Sequence, residues 1–232
     1  MIKLRTSGER GHANHGWLES WHSFSFADYH DPAHVHFRAL RVINEDIIQP
    51  TEGFGTHPHR DMEIITYILD GALSHKDSMG NGATILPGEV QQMSAGSGVT
   101  HSEFNALNDK PTHLLQIWIM PHTKGVNPSY SEWKPDGSEA KGWAVAASDG
   151  GREGGVAIHQ DARLYLTKAA AGESRAISIP AGRYGYLHVA KGGVQSGGYT
   201  LKAGDAMMFD GGEVEGLKAQ EASEVNHKNS GK

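Results

Sequence analysis

The sequence has no cysteine among its 232 residues, which excludes disulfides, thiolate chemistry and metal sites with cysteine ligands. Its most apolar run, residues 113–120, is far too short to span a bilayer. Lysine and arginine are scattered within a net charge of −6, and no basic stripe marks a nucleic-acid surface. The N-terminal stretch lacks the apolar segment of a secretory signal. We therefore expect a cytoplasmic protein that binds neither a membrane nor nucleic acid directly.

Glycine is plentiful instead, with 30 residues, which favours tight turns and β-structure over long helices. Short runs rich in Val, Ile, Leu, Tyr and Thr recur between turn residues, as in sandwiches, barrels and jelly rolls. These predicted strands cover residues 39–48, 63–70, 89–95, 99–105, 112–120, 142–148, 163–170, 176–181, 184–192 and 205–211. The stretch 121–142, rich in Pro, Gly, Ser and charge, predicts a crossing between two β units. The polar tail 221–232 is expected to fray.

Two histidines two residues apart, His57 and His59, begin a stretch that ends at Gly71. Alternate residues of an extended strand share one face, so both imidazoles can point into one cavity, and Glu63 has the same parity. Pro58 lies between them and cannot donate to a central ladder, which predicts an edge strand or a bulge. One such pair is weak evidence for a metal site, because histidine pairs are common on surfaces.

A second segment supplies partners for this pair. His101 and Glu103 alternate on one face of a predicted strand, and Gly96 and Gly98 turn the chain just before it. Three imidazoles and a carboxylate form a nitrogen and oxygen donor set. Such a set suits one divalent transition metal, namely Fe(II), Mn, Ni, Co, Cu or Zn. The two segments together predict a metal site.

An aromatic-rich stretch, residues 11–32, precedes both segments. Aromatic side chains mostly serve packing, and here they would close one end of the core. The functional alternative is that Trp21, Phe24 and Phe26 line a substrate pocket.

The remaining candidates have plainer interpretations. His75 has a charged neighbour and precedes a predicted turn at Asp77 and Asn81, which indicates a solvated strand end. His159 and His188 are isolated in the second half and are expected to be packed or solvated. No nucleophile elbow, P-loop or dinucleotide fingerprint is present. The sequence therefore does not indicate a hydrolase, an NTPase or a nicotinamide-dependent enzyme.

The sequence resembles a known family at these motifs. HPH-x3-E, followed by Gly71, and GSG-x2-H-x3-N, which ends at Asn105, resemble the two motifs of a cupin. The stretches GHANHGWLESWHSFSFADY, GFGTHPHRDMEIITYILDG and MSAGSGVTHSEFN resemble the pirin family, above all bacterial pirins with quercetin 2,3-dioxygenase activity. The resemblance is strong over residues 1–121 and weaker afterwards, where it rests mainly on residues 159–165.

This resemblance implies an all-β bicupin, with two stacked antiparallel β-barrels of the jelly-roll type in one chain. Residues 1–130 would form the N-terminal barrel with one metal, typically iron. Residues 131–232 would form a degenerate, metal-free barrel with a polar tail. Two barrels in one chain suffice for a monomer.

The resemblance also bears on the carboxylate ligand, which the motifs leave open. Ordinary cupins take it from the first motif, here Glu63, whereas pirins take it from the second, here Glu103. We expect the ligands His57, His59, His101 and Glu103. Glu63 would then be an alternative ligand or would orient a ligand histidine.

The implied activity is metal-dependent opening of the central ring of a flavonol by O2, with release of carbon monoxide. Glu103 would be the catalytic base, and the partners would be a small phenolic substrate and O2. Two alternatives share the same site residues. One is a metal- or redox-responsive regulatory protein that binds a protein partner, and the other is a different cupin enzyme.

Overall fold

The chain is all-β, as predicted. The computed structural model describes residues 2–231, apart from the side chains of residues 212–215 and 229. In this range a 3₁₀ turn covers Ser7–Glu9 and a short α-helix, α1, covers Ser138–Lys141. Neither helix found in the described range is long and apolar enough to cross a membrane.

The first twelve strands are β1 (Ile2–Arg5), β2 (Gly11–Asn14), β3 (Leu18–His22), β4 (Leu40–Ile48), β5 (Gly53–His59), β6 (Glu63–Asp70), β7 (Leu73–Asp77), β8 (Gly82–Ile85), β9 (Val90–Ser94), β10 (Val99–Asn105), β11 (Thr112–Ile119) and β12 (Ser129–Trp133). The next eight are β13 (Ala144–Asp149), β14 (Val156–Ile158), β15 (Ala162–Ala169), β16 (Ser174–Lys191), β17 (Gly193–Ser196), β18 (Tyr199–Lys202), β19 (Ala206–Ala219) and β20 (Ser223–Ser230). Predicted strands 63–70 and 99–105 coincide with β6 and β10.

The chain divides into two compact units. The N-terminal unit contains Gly11–Lys134 and Val156–Gln160. The C-terminal unit contains Met1–Arg10, Pro135–Gly155 and Asp161–Lys232. Each unit therefore includes a short segment from beyond the single boundary that the sequence suggests at residue 130.

Two antiparallel sheets make up the N-terminal unit. One has the strand order β5-β10-β7-β8, and the other has the order β12-β9-β6-β11-β4-β3-β2. Apolar side chains from both sheets form one buried cluster: Leu18, Ile48, Ile68 and Leu114 from the larger sheet, with Leu73 and Ile85 from the smaller. Burial of such side chains holds the sheets face to face and fixes which residues point inward.

The C-terminal unit is built on one antiparallel sheet in the order β13-β15-β20-β16-β19-β17-β18, with β1 paired to β19. Its core includes Leu187, Val189, Phe209 and Val225. The two long strands β16 and β19 run antiparallel through this sheet.

The predicted crossing at residues 121–142 does contain the boundary between the two units, at residues 134–135, whereas the prediction of a frayed tail is wrong. Residues 121–142 contain β12, which pairs with β9 and extends the larger sheet of the N-terminal unit. The tail from residue 221 contains β20, which lies between β15 and β16 and is hydrogen-bonded to both. Its polar residues are therefore held by backbone pairing rather than frayed.

Candidate metal centre

Pairing between β5 and β10 brings the three predicted histidines together. The antiparallel register places His57 opposite His101 and His59 opposite Val99. β5 is the edge strand of its sheet, as predicted. The edge position accommodates Pro58, which has no N–H to offer to a ladder.

A glycine allows β5 to lie against β10 just before the first histidine. A Cβ atom at Gly53 would lie 2.2 Å from the carbonyl oxygen of Glu103 and 2.5 Å from the Cα atom of Phe104. The register of the two strands shifts between His101 and Glu103. This close approach explains a glycine at this position, because any other side chain would push the strands apart.

The three imidazoles are packed around one point. Their ring centroids are separated by 4.7 Å (His57–His59), 4.5 Å (His57–His101) and 4.8 Å (His59–His101). The Nε2 atoms of His57 and His101 are 3.0 Å apart. Nδ1 of His57 lies 2.8 Å from the carbonyl oxygen of Gly55, which can only accept, so Nδ1 carries the proton and Nε2 carries a lone pair. This tautomer leaves Nε2 available to bind a metal.

The electrostatics also favour neutral imidazoles. Burial, together with the neighbouring His57, lowers the pKa of His59 to about 4. Burial and the adjacent histidines lower the pKa of His101 to about 3. Metal binding requires neutral imidazole, so these side chains need not lose a proton to bind an ion at neutral pH.

Glu103 lies two residues after His101 on the same buried face of β10. Its Oε1 accepts hydrogen bonds from Thr66 (3.2 Å) and Gln91, and its Oε2 accepts one from Gln116 (2.7 Å). Burial raises the pKa of Glu103 to about 7, against the opposing effect of these three donors. The donors fix the orientation of a carboxylate that would otherwise be costly to bury.

A fourth histidine lies behind His101, and the sequence prediction for it is wrong. His75 is fully buried rather than solvated, because it shares the buried face of β7 with Leu73. Its Nε2 is 3.3 Å from the carboxylate of Asp77, and its ring stacks on Tyr130 at 4.8 Å. Ligand-type atoms of His75, His101 and Glu103 form a second close group, which overlaps the first at His101. Alternation of Leu73, His75 and Asp77 could have indicated this buried face.

Glu63 lies away from the three histidines. Its carboxylate accepts hydrogen bonds from Gln92 (2.8 Å), Ser94 (2.7 Å) and His159 (3.2 Å). The parity argument fails because the chain turns between β5 and β6, where Asp61 has a φ of 49°. Ile64 lines the cavity described next, so Glu63 is on the opposite face of β6.

A cavity of about 710 Å³ opens beside the histidines in the N-terminal unit. The three histidines and Glu103 form part of its wall. Five aromatic side chains also line it: Trp17, Phe26, Tyr29, Phe54 and Trp118. Trp118 packs edge-on against His59 at 5.0 Å and against Phe26 at 5.4 Å. The cavity wall thus combines aromatic side chains with polar groups at defined points, as in small-molecule sites.

The three aromatic residues predicted for a pocket do not behave alike. Phe26 lines the cavity. Trp21 is on the opposite face of β3 from the two neighbours that line it, and it stacks on His12 at 5.1 Å. Phe24 is only 2% exposed and belongs to the core. The pocket alternative is therefore wrong for Trp21, because sequence alone does not show which face of β3 points inward, and Phe24 follows the packing interpretation instead.

Comparisons with known proteins agree with this architecture. The family model described as Pirin matches residues 3–119, and the model described as Quercetinase C-terminal cupin domain matches residues 145–225. A curated relative from Escherichia coli named quercetin 2,3-dioxygenase is 45% identical over 225 residues. The alignment covers 97% of this chain and 96% of the relative.

Solved structures show the same likeness. A bacterial pirin from Escherichia coli, YhhW in complex with nickel(II), matches with a TM-score of 0.94 and 43% identity. That match covers 100% of this chain and 99% of the other. A quercetin 2,3-dioxygenase from Acinetobacter baumannii, 24% identical, matches with a TM-score of 0.80 over 99% of this chain and 85% of its own, which shows a shared fold.

Proposed function

The chain belongs to the pirin family, and from that premise we propose that it is a metal-dependent dioxygenase acting on flavonols such as quercetin. In this reaction O2 opens the central ring of the flavonol, and one ring carbon leaves as carbon monoxide. The observation that carries the proposal is the cluster of His57, His59 and His101 in the wall of an aromatic cavity beside a buried carboxylate. The name of the curated relative supports the same activity.

We propose that His57, His59, His101 and Glu103 hold one divalent metal ion. The donor set fits such an ion, because two Nε2 atoms lie 3.0 Å apart and one of them carries a lone pair by its hydrogen-bonding pattern. Fe(II) is the proposed native metal, and Mn, Ni, Co, Cu and Zn suit the same donors. A similar pirin was solved in complex with nickel(II), which supports binding of a divalent ion.

The side chains around the site have separate tasks in this proposal. When bound, the ion supplies Lewis acidity, which lowers the pKa of a hydroxyl group attached to it. A carboxylate oxygen of Glu103 accepts the proton of the flavonol 3-hydroxyl. Gln91 and Gln116 hold that carboxylate in place through their amide N–H groups. The aromatic walls at Phe26 and Trp118 pack against the flat substrate and keep water away.

The test pairs metal content with turnover. Metal bound to the purified protein is quantified by mass spectrometry, and quercetin absorbance, O2 consumption and carbon monoxide are followed before and after chelation. We expect chelator-sensitive turnover with one O2 consumed for each quercetin. Stoichiometric metal without turnover would favour the regulatory protein or another cupin enzyme instead.

A carboxylate variant tests the role of Glu103. Glu103→Ala is expected to lower kcat/KM about 100-fold or more, as loss of a general base commonly does. Glu52→Ala removes an exposed carboxylate from the same unit and should leave kcat/KM unchanged. Full activity of Glu103→Ala with metal still bound would remove Glu103 from the role of base.

A further inference from the structure

A row of polar side chains crosses the larger sheet of the N-terminal unit. In register, His22 pairs with Asn44, Asn44 with Gln116, Gln116 with Thr66, and Thr66 with Gln91. All five are buried, although they occupy the inward face of the sheet, where apolar residues are the rule. Polar groups buried in this number need hydrogen-bond partners.

One end of this row is already accounted for by the metal centre. Thr66, Gln91 and Gln116 donate to the carboxylate of Glu103. The other end of the row consists of His22 and Asn44, which are not among these donors to Glu103. Nδ1 of His22 and Oδ1 of Asn44 are 2.9 Å apart, and both residues line the cavity.

A buried carboxyl group adjoins this second end. Asp46 is two residues after Asn44 on the same face of β4, is 2% exposed and lines the cavity. Its Oδ1 accepts a hydrogen bond from the hydroxyl of Ser20. Burial raises the pKa of Asp46 to about 7. A carboxyl group buried with one such donor gains from further donors that a ligand can bring.

We propose that Asp46, together with Ser20 and Asn44, forms a subsite that recognises neighbouring hydroxyl groups on the ring of the substrate that lies away from the metal. The proposal rests on the proposed flavonol dioxygenase activity and names its preferred substrates, which are polyphenols with a catechol ring. Hydroxyl groups are donors that satisfy a buried carboxyl group. The aromatic ring that carries these hydroxyls packs against the aromatic side chains of the cavity.

The spacing of the two polar regions suits such a ligand. Gln116 contacts Glu103 and is paired with Asn44 on the adjacent strand. From Gln116, Asp46 lies one strand across, about 5 Å, and two residues along, about 7 Å. One substituted aromatic ring bridges a gap of this size. A hydroxyl at Glu103 and a pair of hydroxyls at Asp46 therefore fit one flat molecule.

The experiment compares two flavonols. Quercetin has two neighbouring hydroxyls on its pendant ring, and galangin is the same molecule without them. Calorimetry under anaerobic conditions measures the binding of each to the metal-loaded full chain, so that turnover does not interfere. The proteins are the parent, Asp46→Asn, Asp46→Ser and the control Asp109→Asn, which changes an exposed carboxylate of the same unit. Asp46→Ser supplies the same comparison should Asp46→Asn be unstable.

We expect the parent and Asp109→Asn to bind quercetin more tightly than galangin. In each Asp46 variant the ratio of the two affinities should fall about tenfold. Galangin affinity should stay within about twofold throughout, since it lacks the recognised groups. An unchanged preference in the Asp46 variants, or equal binding of both flavonols by the parent, would overturn the subsite alone. Failure of the parent to bind either flavonol would overturn the proposed function as well.

Discussion

Gln116 and Glu103 are joined by a hydrogen bond of 2.7 Å although they belong to different sheets of the N-terminal unit. Glu103 is on β10, beside the histidine strand β5, and Gln116 is on β11 of the larger sheet. The amide nitrogen of Gln116 donates, while its Oε1 is buried without a hydrogen-bond partner among the described residues. The carboxylate is therefore oriented by the sheet opposite the one that carries the histidines.

The first prediction follows from this bond. Gln116→Leu keeps most of the side-chain volume but removes the donor, so the carboxylate can turn away from the histidines. We expect metal affinity to fall about 10- to 100-fold, as for other residues that orient a ligand. Competition with a chelator of known affinity measures the change.

A matched control is Gln92→Leu, which removes a buried glutamine bonded to Glu63 instead. It should leave metal affinity within about twofold, whatever it does to stability. Equal losses of affinity in both variants would mean that Gln116 acts through general packing.

The second prediction separates the two overlapping groups of ligand-type side chains. His57→Ala should abolish stoichiometric metal, because it removes one of three imidazoles that share one point. His75→Gln should retain one metal per chain, because His75 is turned toward Asp77 and stacked on Tyr130. Mass spectrometry of the native proteins counts the metal. The opposite pattern would place the ion between His75, His101 and Glu103.

The third prediction concerns Glu63, whose carboxylate is bonded to Gln92, Ser94 and His159. Glu63→Gln places an amide N–H against donors, so we expect a loss of about 1–3 kcal/mol in the free energy of unfolding. Metal content should be unchanged, since this carboxylate is not beside the histidines. Chemical denaturation and metal analysis of the same preparation give both values. A loss of metal at unchanged stability would restore Glu63 as a ligand.

The fourth prediction uses Asp46 and pH. Burial raises its pKa in the folded state to about 7, above the ordinary value of 3.8. Between these two pH values the folded state therefore binds more protons than the unfolded state, so this group lowers the free energy of unfolding as pH rises from about 4 to about 7. Glu45 and Glu103 add negative charge nearby, and His113 opposes them.

Asp46→Asn keeps the shape and removes the titration. The variant should match the parent near pH 4 and exceed its free energy of unfolding at pH 8 by on the order of 2 kcal/mol. Urea denaturation at both pH values, with the two proteins in the same metal state, tests this. A variant that loses stability at pH 8 would show that the ionised carboxylate is stabilising.

The local sequence pattern correctly predicted those strands whose own residues and flanking turns define them. β6 and β10 have the predicted bounds because turn residues flank a run of strand-forming residues in β6 and an alternating motif in β10. The residues 176–181 and 184–192 were predicted as two strands but belong to β16, which continues through a shift in register between Ile179 and Tyr184. Proline and glycine in that stretch indicate a break that the pairing with β19 overrides.

Tertiary pairing decided what the sequence could not show. Asn226, His227 and Lys228 are polar, yet all three are buried, which means that both faces of β20 are covered. His75 is buried on one face of β7 together with Leu73. The histidines of the metal centre were predictable because spacing along two strands defined them, whereas Asp46 and Gln116 are brought to the cavity only by the order of strands in the sheet.

The edge position of β5 has a consequence for association between molecules. His57 and His59 are on this edge strand, and His101 is on the one strand with which it pairs in the sheet. An ion shared by these side chains would fasten the edge strand to its neighbour. An edge strand that loosens exposes backbone donors and acceptors to other chains. Removal of the metal would thus lead to slow self-association of the protein, while its secondary structure remains otherwise intact.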